Sequence, residues 1–229
     1  MFLKRGRYDI GYEVAKEYSE NKDLEKLHEP VLLLNGFGVG SFHQHRLVSN
    51  LLKKDGDQVD DKTRVIYGID YLGQGKSWPI ECDDGNSKNE EGLIYSADTW
   101  AEQIIQFVEE IILPNHAGAT KVHLVGNSVG GYLSVLIANK RPNLIQSICL
   151  LNATPIWGLN LPGWSGNLPP PLIPRIVGRI LFDKIRELDT IEQYLETAYH
   201  FREAFDDDLV SFSICSEITG AVYLFQDFH

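Results

Sequence analysis

The apolar positions of this chain fall into short runs whose spacing switches between two periods. Ile10, Tyr12 and Val14 alternate with polar residues, which predicts an amphipathic strand. Residues 21–29 form a charged connection. Pro30 then opens Val31-Leu32-Leu33-Leu34, a continuous apolar run of the kind that forms a strand buried on both faces. It ends in Asn35-Gly36-Phe37-Gly38-Val39-Gly40, after which Leu47, Val48, Leu51 and Leu52 recur at helical spacing. Residues 64–69 predict the next strand, and residues 80–92 a polar, acidic surface loop. Trp100, Ile104, Val108 and Ile111 make a helical stripe. Residues 121–125 are a short strand-like run, and residues 131–140 a helix stopped by Arg141-Pro142. Residues 144–151 predict a further buried strand, ending at Asn152-Ala153-Thr154-Pro155. Strands alternating with helices give an α/β class, with a mostly parallel sheet and helices on both faces.

Beyond Pro155 the pattern changes. Pro162, Pro169, Pro170, Pro171 and Pro174 interrupt regular structure, while Trp157, Trp164 and many leucines keep the segment apolar. Ile176, Val177, Ile180 and Leu181 form one helical face, and Tyr194, Leu195 and Ala198 another. Residues 209–214 and 221–225 are strand-like. The chain therefore divides into a core over 1–154, a helical segment over 155–208 and an atypical tail over 209–229.

Composition narrows the partners. The 229 residues fit one domain with a substantial core. A net charge of −11 argues against nucleic acid and against an anionic membrane surface. No apolar stretch reaches the roughly 18 residues of a membrane-spanning helix, so no stable membrane insertion is expected. Cys82, Cys149 and Cys215 show neither metal-ligand spacing nor a disulfide framework, which suits a reducing, intracellular compartment. Cys149, inside an apolar run, is expected in the core. The basic start, Met1 to Arg7, lacks a signal-type apolar region and is short for a transit peptide.

The chemistry concentrates at Gly126-Asn127-Ser128-Val129-Gly130, a Gly-x-Ser-x-Gly between a predicted strand and a predicted helix. That context is what a nucleophile elbow requires: a turn tight enough to lift a serine hydroxyl above the sheet edge, with helix N–H groups aimed at developing charge. The plainer alternative is a strand-to-helix turn capped by serine, a good N-cap residue. Gly36-x-Gly38 after a strand also suggests a dinucleotide loop, but the third glycine position is Ser41, and no Gly-x-x-x-x-Gly-Lys phosphate loop exists. No cofactor and no metal are implied.

On these residues the chain resembles the α/β-hydrolase superfamily, and within it the pheophytinase-like ester hydrolases of plants and algae, over about residues 10–208. The resemblance implies the α/β-hydrolase fold with residues 155–208 as a helical cap over the pocket. It implies Ser128 as nucleophile, with the backbone N–H groups of Phe37 and Val129 forming the oxyanion hole and Gly36, Gly38, Gly126 and Gly130 shaping loop and elbow. Asn35 stands where the family usually has His, a change expected to affect loop support more than the hole. Asp70, in an Asp-x-x-Gly-x-Gly-x-Ser stretch running to Ser77, is structural in the family and precedes the serine, so it is not the triad acid.

A serine of this kind needs a base and a carboxylate to orient it, and in this fold these follow the seventh and eighth strands. A third option places the acid after the sixth strand, where this chain has Asn152. His28, His43, His45, His116 and His123 all precede Ser128, and His200 falls on a predicted cap helix. His43 and His45 could line the pocket; His123 lies mid-strand, where a packed, hydrogen-bonded role is the default. Asp206 to Asp208 and His229 preserve the order formally, without the family's helices between. The expectation is that the triad acid and His are not present in this chain, that the last strands of the sheet are missing and that the tail is foreign sequence. Two functions follow. One is a serine hydrolase of carboxylic esters acting on a small hydrophobic or lipid-type ester, in a plastid if the resemblance extends to location. The other is a non-catalytic, ligand-binding or degenerate member of the same fold. A chain left with an exposed sheet edge could also lack a stable fold.

Overall fold

A computed structural model describes residues 10–16, 26–27, 29–53, 62–77, 97–154 and scattered positions between 187 and 196. The strands among them are β1 (Tyr12–Lys16), β2 (Lys26–Leu27), β3 (Val31–Leu34), β4 (Lys62–Thr63), β5 (Val65–Ile69), β6 (Val122–Asn127) and β7 (Ile145–Leu151). The α-helices are α1 (His45–Leu51), α2 (Ala97–Phe107) and α3 (Val129–Lys140). Five strands form one sheet in the order β1-β5-β3-β6-β7. β1 runs antiparallel to β5, and β5, β3, β6 and β7 pair in parallel. The short β2 and β4 pair with each other.

The continuous apolar runs become the central strands. Leu32 and Leu34 are wholly buried in β3, and every residue of β5 is buried. The predicted stripe on α2 is equally closed off: Trp100 and Ile104 are wholly buried, and the helix continues through a π-turn at Val108–Ile112 that buries Val108 and Ile111. Trp100 donates its indole N–H to the Leu72 carbonyl at 2.9 Å and lies 5.4 Å from the Tyr71 ring. A buried tryptophan with its polar edge satisfied keeps its full hydrophobic contribution.

The sequence expectations fail at the two strands that end the sheet among the described residues. In β1, Tyr12 meets the Phe107 ring at 5.2 Å, yet Val14 is 51% exposed. Alternation assigns a side chain to a face; it does not say that a neighbour covers that face. In β7, predicted to be a buried strand, Leu150 is 49% exposed, and Cys149 is exposed rather than in the core. Ile145 and Ile148 pack on the core that includes α3, whereas Cys149, next along the strand, points to the opposite face. The acidic loop at 80–92, the apolar faces assigned to the helical cap and the tail over 209–229 lie outside the described residues.

Candidate active site

The turn between β6 and α3 is closed by backbone contacts that only glycine permits. A Cβ on Gly130 would lie 2.2 Å from the Leu34 carbonyl oxygen, and one on Gly126 2.3 Å from that of Gly130. The first turn of α3 thus sits directly against the end of β3. Ser128, between them, is held at φ 51°, ψ −117°, a conformation L-residues rarely adopt. Main-chain bonds over-determine it. Its N–H donates to Leu151 O at 3.2 Å, and its carbonyl accepts from Gly131, Tyr132 and Thr154 at 3.0, 3.3 and 3.0 Å. Strain persists where the surroundings fix it in this way, and such sites are characteristically functional. The capping alternative fails, because the Ser128 side chain makes no cap bond; its Oγ lies 3.0 Å from Thr154 Oγ1 instead.

The loop after β3 runs beside this serine. A Cβ built on Gly36 would stand 3.5 Å from Ser128 Cβ and 4.0 Å from its Oγ. Asn35 is wholly buried, and its side-chain amide donates to the carbonyls of Gly36, at 3.1 Å, and Val39. The Asn35 carbonyl accepts the Tyr71 hydroxyl at 2.8 Å. Burial, and then the charge of Asp70, push the Tyr71 phenol well above its ordinary range, so it remains a donor. Gly38 turns the loop at φ 78°, and its N–H donates to Gln74 Oε1 at 2.9 Å. Asn35 thus braces the loop through its side-chain amide and its carbonyl. Phe37 packs toward Trp100, ring centroids 6.5 Å apart. Val129 is the first residue of α3, where an N–H has no intrahelical acceptor and the helix dipole is positive. The loop and the helix start thus lie on either side of one serine hydroxyl.

Asp70 is a structural clamp. Buried at 3% exposure, it accepts the Ser41 N–H at 2.6 Å on one carboxylate oxygen and the Lys76 N–H at 2.8 Å on the other. Its carbonyl receives Ser77 Oγ at 2.9 Å and Gln103 Nε2 at 3.0 Å. Its N–H donates to the Gly11 carbonyl at 2.9 Å, so Asp70 ties the turn at 70–77 to Ser41, to α2 and to the start of β1.

Among the described residues no imidazole hydrogen-bonds Ser128. His123 bridges Ser147 Oγ at 2.7 Å and Glu29 Oε2 at 3.1 Å, the hydrogen-bonded strand role expected of it. It lies five residues before Ser128, roughly 16 Å along an extended strand, out of reach of the hydroxyl. His116 Nε2 meets the Tyr67 hydroxyl at 3.0 Å in the core. His45 heads α1 and stacks on Phe42 at 4.7 Å. Asn152, after β7, is exposed and adopts φ 48°. His28, His200, His229 and Asp206 to Asp208 lie outside the described residues. No cluster of three metal-ligating side chains occurs among the described residues.

His43, beside the loop, is held below its ordinary pKa by burial and then by His45. Its Nδ1 is buried without a partner. The unfolded imidazole takes a proton near 6.5 and the folded one only at lower pH. Stability is thus complete above about 6.5 and is lost as pH falls toward the folded value. Thermal melts at pH 7.5 and 5.5 are expected to show a smaller drop for His43→Gln than for the wild type.

Strained serine, glycine-tight strand–helix turn and braced second loop are the working geometry of one fold class, and the match to family models agrees: residues 29–190 match the alpha/beta hydrolase fold family. The chain belongs to that family. Among its relatives is the chloroplastic pheophytinase of Arabidopsis thaliana, 34% identical over 160 residues, which cover 61% of this chain and 30% of that protein. The proline iminopeptidase of Lactobacillus acidophilus is 27% identical over 198 residues, covering 85% of this chain and 57% of the relative. A probable hydrolytic enzyme from Pseudomonas aeruginosa superposes with a TM-score of 0.63 at 17% identity, over 99% of this chain and 62% of that one. The chain thus spans well under two thirds of the length of these curated relatives. Among the described residues no helix is long and apolar enough to cross a membrane.

Proposed function

We propose that this chain carries the nucleophile, Ser128, of a serine hydrolase acting on carboxylic esters. Ser128 attacks the ester carbonyl, its proton passes to a base, and the tetrahedral oxyanion is held by the N–H groups of Val129 and Phe37. The observation that carries the reading is the backbone of Ser128, fixed at φ 51° beside the Gly36 loop. A capped turn needs no such strain. The apolar surroundings of the loop, Phe37 against Trp100, and the pheophytinase relative support a hydrophobic ester as substrate. A plastid location belongs to the same proposal, supported by the chloroplastic relative alone.

The test is turnover of p-nitrophenyl esters of increasing acyl length by wild type and Ser128→Ala. The variant is expected to lose at least about 10⁴-fold, the scale seen when a serine nucleophile is removed. A variant that retained the wild-type rate would remove Ser128 from the mechanism. Faster cleavage of a prolyl anilide than of any ester would move the substrate class toward that of the iminopeptidase relative. One observation favours the second reading, a ligand-binding protein on the same fold: among the described residues the Ser128 hydroxyl contacts Thr154 and no base. Ligand binding without turnover by either protein would establish that alternative.

A further inference from the structure

The segment after β7 is folded back onto the elbow. Asn152 reverses the chain at φ 48°, a conformation asparagine tolerates better than most residues. Ala153 then packs against the first turn of α3, so closely that a Cβ on Gly131 would stand 2.4 Å from Ala153 Cβ. Thr154 follows, and its N–H donates to Ser128 O at 3.0 Å while its Oγ1 lies 3.0 Å from Ser128 Oγ. Main chain therefore fixes the frame in which the two hydroxyls meet.

We infer that Thr154 is a positioning residue for the serine hydroxyl, an inference that rests on the hydrolase reading above. A serine side chain has three staggered wells open to it and little of its own to choose among them. A threonine is stiff at χ1, so its hydroxyl makes a fixed partner. The pairing selects the Ser128 rotamer whose hydroxyl meets that of Thr154. A threonine hydroxyl is far too weak a base to accept the serine proton for catalysis. Its part is to hold the oxygen, leaving proton removal to another group.

The experiment measures inactivation of the full chain by a fluorophosphonate, resolving the limiting rate from reagent affinity. Thr154→Val removes the hydroxyl and keeps the shape; Thr154→Ser keeps the hydroxyl. Thr154→Val is expected to lower the limiting rate roughly fivefold to tenfold with affinity unchanged, the effect of losing one neutral hydrogen bond to the reacting atom. Thr154→Ser is expected to stay within about twofold of wild type, and the midpoint of the pH profile to stay fixed, because no titrating group has changed. Melting curves confirm that each variant folds, and if the valine variant does not, Thr154→Ala against Thr154→Ser supplies the same contrast. Equal limiting rates for wild type and Thr154→Val overturn the positioning role alone, as does a serine variant as slow as the valine one. A wild type that takes no label at all overturns the hydrolase reading and the positioning role with it.

Discussion

Gly130→Ala is expected to be among the most damaging single-methyl changes in the chain. The added Cβ would fall 2.2 Å from Leu34 O and 2.7 Å from Asn35 O, both backbone atoms at the end of the central strand. Neither can rotate away, so α3 must lift off β3 or the strand must bend. Overpacking of a core side chain costs about 1–3 kcal/mol, and a clash with rigid backbone belongs at or above the upper end of that range. For a protein of this size a loss of about 3 kcal/mol lowers the melting temperature by roughly 6–12 °C. Gly118→Ala provides the control. Gly118 has φ 86° but nothing within 4 Å of the new atom, so only the backbone conformation opposes the change, at about 1–2 kcal/mol. Melting temperatures of the two variants measured side by side separate the effects: equal losses would mean that the contact of α3 with β3 is not as close as described. The same change should remove fluorophosphonate reactivity from whatever Gly130→Ala protein still folds, because Ser128 stands two residues away on the displaced turn.

The second large effect falls on Asp70. Replacing it by Ala leaves the Ser41 and Lys76 N–H groups without their acceptor in a site only 3% exposed. The orphaned Ser41 donor is buried and costs about 1–3 kcal/mol, while that of Lys76, on an exposed residue, costs less, so Asp70→Ala is expected to lose roughly 2–4 kcal/mol in all. Asp70→Asn should lose less, since one amide oxygen can still accept while its NH₂ faces a second donor. The distinction that matters is between stability and chemistry. A triad acid replaced by Asn loses reactivity by several orders of magnitude with its fold intact. Here the melting temperature should fall, and the folded fraction should react with fluorophosphonate at nearly the wild-type rate. A stable but unreactive Asp70→Asn would make Asp70 part of the catalytic machinery after all.

The strand–turn–helix around Ser128 was readable because several local signals agree: a short apolar run, two glycines around a serine, and an apolar run long enough for a helix. The mostly parallel sheet followed from strands alternating with helices, and the continuous apolar run of β3 marked a strand covered on both faces. What escaped the sequence was which face receives a cover. Val14, in an alternating strand, and Cys149, in an apolar run, are both exposed. β1 and β7 end the sheet among the described residues, and the residue string carries no mark of a strand's place in it. The brace around the site was half legible. Asp70 could be assigned a structural part from its motif, whereas the bonds made by Asn35 could not be read from its departure from the usual His. Gln74, which holds the Gly38 N–H from 36 positions away, and Thr154, 26 positions beyond Ser128, left no local trace. One signal pointed toward Thr154: it closes the segment after a parallel strand, and such segments converge at the carboxyl edge where the elbow opens.

The most direct measurement is the mass of the 229-residue chain after fluorophosphonate treatment, followed by mapping of the modified peptide. An activated Ser128 predicts one adduct per chain, on the peptide containing Gly126-Asn127-Ser128, and none on Ser128→Ala. An unmodified wild-type chain, or an adduct on any other serine, contradicts the assignment of Ser128 as the nucleophile.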